Sequence, residues 1–565
     1  MKARQGALQK IQEAIVMEKA KRLVVLLLCL ALIMTLPVAG MADGTGDSNL
    51  NEPGTFPICK ETVQFSIGIP KSTTVLDWDT NFMTESLEAD VNCEFEFIEM
   101  GADNSEMKQK VELQVMAGGA DLPDILIYTP GDASANYYGQ LGTFIALDEY
   151  MDDAYYYPQA VESIPYDPLV YARSADGHLY GLFAIEYAME TAIYIRLYTN
   201  MDFLEALDME LPTSCQEFED MLRAIKTQDP NGNGKNDEVG FMTSKNRLWN
   251  HFVMPLMTPF VYSVGQDGNN YLSFDENGKI QASYATEGWH EGLTWIAGMV
   301  SEGLISPLCF TQDDEQVKTF ANSAENGEQL IGVSTYYPVN WYPTGDERAT
   351  NWGCIRCLEG FDGKRTAPFS YRMPTLNYFI TKNCENPEAA FRLGDLLTGE
   401  KYTLMTRYGE ENVDWVHAEP SDESYYEGYD ALYIPVLAWA IPNNKRWDNG
   451  SPYIRNAVIS NGVAVKGKMS GLDAWANEMA SESLPYVDYS QVVGKIVYNE
   501  EELDEITEIQ SNIETYYKEC FSRFAVGDMS LENDWQSYLD ELDAIGLERY
   551  IEISQQAYDR MHAES

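Results

Sequence analysis

The chain of 565 residues carries 38 Lys and Arg against 89 Asp and Glu, a net charge of −51. Its length calls for two or more lobes. Its charge excludes nucleic acid and anionic membrane surfaces as partners, because clustered Lys and Arg hold both.

Hydrophobic residues make up 45%, enough for a core, so the acidity belongs to the surface and not to disorder. The 36 Tyr and 11 Trp supply many rings with an apolar face and a polar handle. Lys19, Lys21 and Arg22 precede the apolar run Leu23–Leu36; Pro37 breaks it, and Gly40-Met41-Ala42 offers small residues before Asp43. That is the order of a secretory signal over residues 1–42, with Met17 as an alternative start. The competing reading is an uncleaved anchor, since the stretch to Ala42 is about 20 residues long; Pro37 and Gly40 favour cleavage. Loss of residues 1–42 leaves a charge of −55. Cys29 lies inside the apolar run, so no lipid-accepting Cys follows it. The protein is expected to be exported: extracellular, cell-surface associated, or periplasmic where the source has an outer membrane.

Residues 43–57, rich in Gly, Asp, Asn and Pro, read as a flexible leader. Thr62–Gly68 alternates as a strand, Met107–Met116 reads as a helix, and Gly118–Asp124 turns into a strand over Ile125–Tyr128. This β-α-β rhythm predicts a parallel sheet covered by helices. Thr213 and Gln216 fit a capping box ahead of Phe218, Met221, Leu222 and Ile225. Trp289, Leu293, Ile296 and Val300 stand at helical spacing, closed by Gly303. Asn386-Pro387 opens another helix as N-cap and first-turn proline. Leu503, Ile506, Ile509, Ile513, Tyr517, Cys520 and Phe524 mark a long amphipathic helix; Trp535, Tyr538, Leu539 and Leu542 mark the next, ended by Gly546. Eight cysteines beyond the signal are too few for a disulfide scaffold. Cys354-Ile-Arg-Cys357 reads as two buried or strand thiols, with a redox pair as the alternative and no second pair near it for zinc.

The sharpest motif is Asp229-Pro-Asn231-Gly-Asn233-Gly234-Lys235-Asn-Asp237-Glu238. Oxygen donors stand at positions 1, 3 and 5, Gly at 6 and a carbonyl at 7, as in the first half of an EF-hand loop. Position 12 is Gly240 where that loop has a bidentate Glu, so Asp237 and Glu238 must close the shell. The plain alternative is a solvated Asn-Gly turn. The six donors suit structural Ca²⁺ better than Mg²⁺. Only five His are present, and no Walker loop, nucleophile elbow or zinc motif accompanies them. A glycosidase needs two carboxylates across a cleft, which 89 acids supply without singling out a pair.

Several segments in order resemble the bacterial extracellular solute-binding proteins of carbohydrate-uptake ABC transporters, within the large oligosaccharide-binding subgroup that includes the alginate-binding proteins. Ala117–Ile125 resembles "ASGDLPDI" and Asp176–Leu182 resembles "DGKLYGLP". Tyr198–Glu238 resembles the helix pair followed by "DPNGNGKKDE", Glu302–Pro307 resembles "EGLIDP", and Tyr408–Asn412 resembles "YGIEG". The last 50 residues match through Phe524–Asp528, Asp534-Trp535 and Gly546–Tyr550. The resemblance implies a type II periplasmic-binding-protein-like α/β fold of two lobes with a hinge. It implies no catalysis, a permease partner, a monomer, and calcium on Asp229, Asn231, Asn233, Lys235, Asp237 and Glu238. The chain departs from most of that subgroup in lacking the lipid-accepting Cys.

On this frame lobe 1 is expected over residues 58–185 and 331–380, and lobe 2, with the calcium loop and C-terminal helices, over 186–330 and 381–565. Rings in loops after strands or at lobe crossings are the candidates for stacking on sugar faces: Trp78, Tyr128, Tyr187, Trp249, Trp341 and Tyr342, with Glu186 and Arg372 as polar readers. Core packing is the alternative for each ring, and a surface ion pair for Glu186 and Arg372. The net charge favours a neutral oligosaccharide over a uronate polymer. The competing functions are a secreted glycoside-cleaving enzyme and a receptor for another solute on the same fold.

Overall fold

A computed structural model describes residues 49–563 except 73, 175, 266–269, 336–340, 344–345, 437–442 and 465–471. The expected signal and the leader as far as residue 48 therefore lie outside the described residues. Among the described residues no helix is long and apolar enough to cross a membrane.

Ten strands build two sheets. They are β1 Val63–Ile69, β2 Cys93–Glu99, β3 Ile125–Ile127, β4 Leu182–Glu186, β5 Leu197–Asn200, β6 Val239–Phe241, β7 Ile331–Thr335, β8 Trp352–Cys354, β9 Thr375–Ile380 and β10 Ile454–Arg455. The six-stranded sheet runs β10-β4-β9-β3-β1-β2, and the four-stranded sheet runs β8-β5-β7-β6. β1 pairs parallel with β2 and β3, while β9 runs antiparallel to both β3 and β4. The expected β-α-β start is present. Helices Phe82–Val91 and Asn104–Met116 carry the chain from β1 to β2 and from β2 to β3. Asp103 caps the second by accepting from the Glu106 N–H, three residues earlier than the hydrophobic pattern alone marks it.

Each sheet with its helices makes one lobe of a two-lobe α/β fold. The chain passes between them after Glu186, after Cys354 and after Arg455. The sheets divide the chain differently from the boundaries read in sequence. Ile331–Thr335, expected in lobe 1, pairs with β5 and β6 of the four-stranded sheet. Helix Pro387–Thr398, expected in lobe 2, packs on β9 and β4 of the six-stranded sheet. There a Cβ on Gly394 would stand 2.5 Å from Leu182, so helix and sheet meet closely. Strand partnership is a long-range choice that local pattern does not encode.

The expected helices form, with adjusted ends. Ser214 rather than Thr213 caps Cys215–Thr227, accepting from the Glu217 N–H at 3.2 Å; Thr213 instead donates to the Glu217 carboxylate. Asn386 precedes Pro387 as expected, yet its side chain makes no capping bond. Trp289, Leu293, Ile296 and Val300 are buried on Glu287–Ser301. That helix packs against the C-terminal helix Glu500–Val526, whose Ile506, Ile513, Tyr517, Cys520 and Phe524 face inward. Gly527 and Gly546, at φ 83° and 120°, end this helix and Leu531–Ile545 in the left-handed conformation that glycine adopts without strain. Cys354 and Cys357 are separate buried thiols, as the sequence suggests.

Candidate functional site

In open α/β sheets, ligands collect outside the carboxyl ends of the strands. The C-terminal ends of β1, β3 and β4 and the start of antiparallel β9 lie on one such edge. A concavity of about 420 Å³ opens there among Ile69–Ser72, Trp78, Asn104, Tyr128, Thr129, Asn377 and Trp447–Gly450. A second, of about 210 Å³, is lined by Glu186, Arg372, Thr375 and Tyr453 and shares Thr129, Asn377 and Asn449 with the first. Together they form one groove. A larger concavity of about 700 Å³, around Phe260, Trp295 and Phe361, lies on other elements and on no strand end.

The loop after β1 is pinned so that Trp78 faces the groove. Asp77 accepts from the backbone and hydroxyl of Thr80, and Asn444 clamps the same turn by accepting from the Asp77 N–H and donating to the Thr80 carbonyl. Trp78 then stands 5.4 Å from Phe97 and 6.0 Å, edge-on, from Trp447. Trp447 is fixed in turn by donating from Nε1 to Thr84 at 2.9 Å. Beside this aromatic wall, Asn104 holds Thr129 through both its backbone groups.

Four buried polar atoms on neutral groove residues have no hydrogen-bond partner among the described residues: Trp78 Nε1, Tyr128 Oη, Asn377 Oδ1 and Asn449 Oδ1. Leaving such atoms unpaired costs about 1–3 kcal/mol each, so their convergence on one groove marks groups kept for a ligand. Asn377 Nδ2 is already spent on the Ser451 carbonyl at 2.7 Å, which aims the remaining amide oxygen. Burial pushes the Tyr128 hydroxyl well above its ordinary pKa, so it stays a neutral donor and acceptor.

At the far end of the groove Glu186 closes β4 beside Arg455, with Arg407 at 3.6 Å. Burial pushes its carboxyl up, but Arg455 and then Arg407 outweigh burial and hold it ionised below the usual carboxylate range. Among the described residues its Oε2 is buried without a hydrogen-bond partner. Glu186 is thus tied to buried Arg455 rather than to Arg372 in a surface pair. Arg372, at φ 54°, lines the same end and accepts through its carbonyl from Tyr166 at 2.9 Å.

Of the residues singled out in the sequence, the groove brings together Trp78, Tyr128, Glu186 and Arg372. Tyr187 follows β4 into the first crossing, buried, with its N–H on the Arg455 carbonyl. The other three stand elsewhere. Trp249 packs on Tyr271, Tyr517 and Phe521 at 5.3–5.7 Å, filling the seam between its own short helix and Glu500–Val526. Trp341 accepts from Asn322 through its carbonyl, and Tyr342 lies under Arg348 at 4.7 Å; both are buried in the four-stranded lobe, and neither lines the groove. Asn377, Trp447 and Asn449 line the groove without having been singled out in the sequence.

The loop between helix Cys215–Thr227 and β6 has the turns its glycines demand, with Gly232 and Gly234 at φ 68° and 77°. Asp229 accepts from the N–H groups of Asn233 and Gly234, Asn231 Oδ1 accepts from the Asn233 N–H, and Asn233 donates to Asp237. Glu238 folds back to accept from the Asn231 N–H at 3.2 Å, while its other oxygen is buried and unpartnered. Burial, together with the nearby Asp229 and Asp237, pushes the Glu238 carboxyl up. An orphaned buried carboxylate oxygen among like charges fits a cation among these donors. Gly240 cannot give way to the Glu of a full EF-hand: it lies in β6, where a Cβ would stand 2.6 Å from the Leu304 carbonyl.

No family model matches the chain. A curated protein of Streptococcus pneumoniae, the fructooligosaccharide ABC transporter substrate-binding protein FusA, is 22% identical over 531 residues, covering 90% of this chain and 92% of FusA. The solved structure of FusA with kestose superposes with a TM-score of 0.68 at 20% identity, over 89% of this chain and 100% of that one. The chain has the fold of the extracellular solute-binding proteins. A solute-binding protein from Bifidobacterium longum infantis, described as binding HMO and associated with an ABC transporter, gives 0.66 at 18% identity over 88% and 99%. The alginate-binding protein AlgQ2, solved without calcium ion, gives 0.59 at 17% over 90% and 100%. FusA has also been solved as an EF-hand mutant.

Proposed function

We propose that this protein is the extracellular receptor of an ABC importer: it captures an oligosaccharide in the groove along the strand ends of its six-stranded sheet and delivers it, uncleaved, to a membrane permease. The convergence of four unpartnered buried polar atoms beside the Trp78–Trp447 wall carries the reading. Rings pack on the apolar faces of a sugar, and amide, phenol and indole groups read its hydroxyls. Full-length similarity to a fructooligosaccharide receptor supports it. The receptor is exported by the signal at residues 1–42, works as a monomer, and holds one structural Ca²⁺ on Asp229, Asn231, Asn233, Asp237, Glu238 and the Lys235 carbonyl. Trp78, Tyr128, Asn377, Asn449 and Glu186 contact the sugar.

Thermal unfolding of the protein against a panel of neutral oligosaccharides tests this. A ligand that binds only the folded state raises the midpoint with occupancy. The expected result is a rise with one glycan class, recovered intact afterwards. A shortened product would make the protein an enzyme, and a rise only with non-sugar solutes would change the ligand class.

A further inference from the structure

Two of the cysteines beyond the expected signal meet. Cys59 and Cys93 stand 34 residues apart in sequence, yet their sulfurs are 3.8 Å apart, and the two residues are 0% and 4% exposed. The backbone holds them together independently of the thiols. The Cys59 N–H donates to the Val91 carbonyl at 3.0 Å, Asn92 reaches back to the Cys59 carbonyl at 3.1 Å, and Cys93 opens β2 in register with Val63 of β1. Cys59 therefore lies against the chain just ahead of β2, the edge strand of the six-stranded sheet.

We propose that Cys59 and Cys93 form a disulfide in the mature protein, stapling the segment that enters the fold to the edge of the six-stranded sheet. Bond formation needs the sulfurs to approach by about 1.8 Å, within reach of side-chain rotation. The oxidant is an external disulfide, small-molecule or protein. The Cys59 thiolate attacks it and expels one thiolate. Cys93 then attacks Cys59 Sγ and expels the second, so two electrons pass to the external disulfide and the two thiol protons end on the released thiols. Both thiols are buried in the finished fold, so exchange takes place while residues 59–63 are still docking or have opened. The closed loop removes freedom from the unfolded chain, which stabilises the fold. The other buried cysteines of the described chain serve as small apolar fillers.

The test is thiol alkylation of the full protein refolded in a glutathione redox buffer, then denatured and mapped by mass spectrometry. The expected result is two fewer alkylated thiols without reductant than with it, a cross-linked peptide pair containing Cys59 and Cys93, and an unfolding midpoint that reductant lowers by a few degrees. Cys59→Ala should abolish both the cross-link and the sensitivity to reductant. Full alkylation of Cys59 and Cys93 without reductant, or a cross-link between other cysteines, would overturn the proposal. The readout needs no sugar, so it stands or falls apart from the receptor function.

Discussion

Tyr128 separates folding from binding at a single atom. Its ring packs edge-on against Phe379 at 5.7 Å, while its hydroxyl finds no partner among the described residues. The ring therefore belongs to the core, and the hydroxyl is a cost that only a ligand offsets. Tyr128→Phe should leave the unfolding midpoint of the free protein unchanged or slightly raised, and weaken sugar binding by about five- to thirtyfold, the worth of one buried hydrogen bond of ~1–2 kcal/mol. Titration calorimetry beside a thermal melt checks this; a fall in the melt with no change in affinity would return Tyr128 wholly to the core. Trp78 and Tyr128 could be singled out in sequence because Trp78 stands in the loop after one strand pattern and Tyr128 at the end of another, and strand ends are where such sites form. Asn377 is harder to read: it sits inside Thr375–Ile380, a strand whose remaining residues beyond the exposed Thr375 are apolar and buried. Trp249 and Trp341 read as loop rings in the sequence much as Trp78 does. Whether such a ring turns to a groove or to a helix depends on distant partners, for Trp249 the Tyr517 and Phe521 stripe of the C-terminal helix.

At the scale of elements, the loop Asp229–Glu238 joins a helix to β6, the outer strand of its sheet, held on one side by β7. Ordering this loop secures the end of the sheet, so a cation there contributes stability rather than chemistry. Chelator should lower the unfolding midpoint of the wild-type protein, and Glu238→Gln should remove most of that shift. The pH dependence has a definite sign. Without metal the Glu238 carboxyl titrates above the ordinary glutamate range, and only its ionised form binds the ion. Apparent calcium affinity should therefore fall as pH drops through that raised pKa, and hold steady above it. Calorimetric melts with calcium and with chelator across a pH series decide this; an equal calcium shift in Glu238→Gln would place the ion elsewhere. The motif itself was legible because Asp, Asn and Gly at fixed spacing dictate the turn. The departure at Gly240 becomes intelligible only in the sheet, where the Leu304 carbonyl leaves no room for a side chain. Helix ends were legible to within a few residues for the same local reason, whereas the lobe to which Ile331–Thr335 belongs was not.

The whole molecule carries −51, and its field bears on which solutes reach the groove. The groove residues include both signs: Lys71 and Arg372 against Asp103, Asp448 and Glu186. Glu186 is matched by buried Arg455 and Arg407, so the groove offers no surplus of cations to outweigh the surrounding charge. A neutral sugar enters without electrostatic work, and its affinity should change less than about twofold between low and high ionic strength, since no net charge is screened. An oligouronate would meet repulsion whose range is about 10 Å at 0.1 M salt and shrinks as salt rises, so its binding should tighten with added salt. Titrations of matched neutral and uronate oligosaccharides at two salt concentrations distinguish the cases. Salt-independent binding of the neutral member supports the assignment. A uronate that binds more tightly at low salt than at high would mean that the groove's cations outweigh its acids at the ligand, and would make the ligand an anion despite the acidity of its receptor.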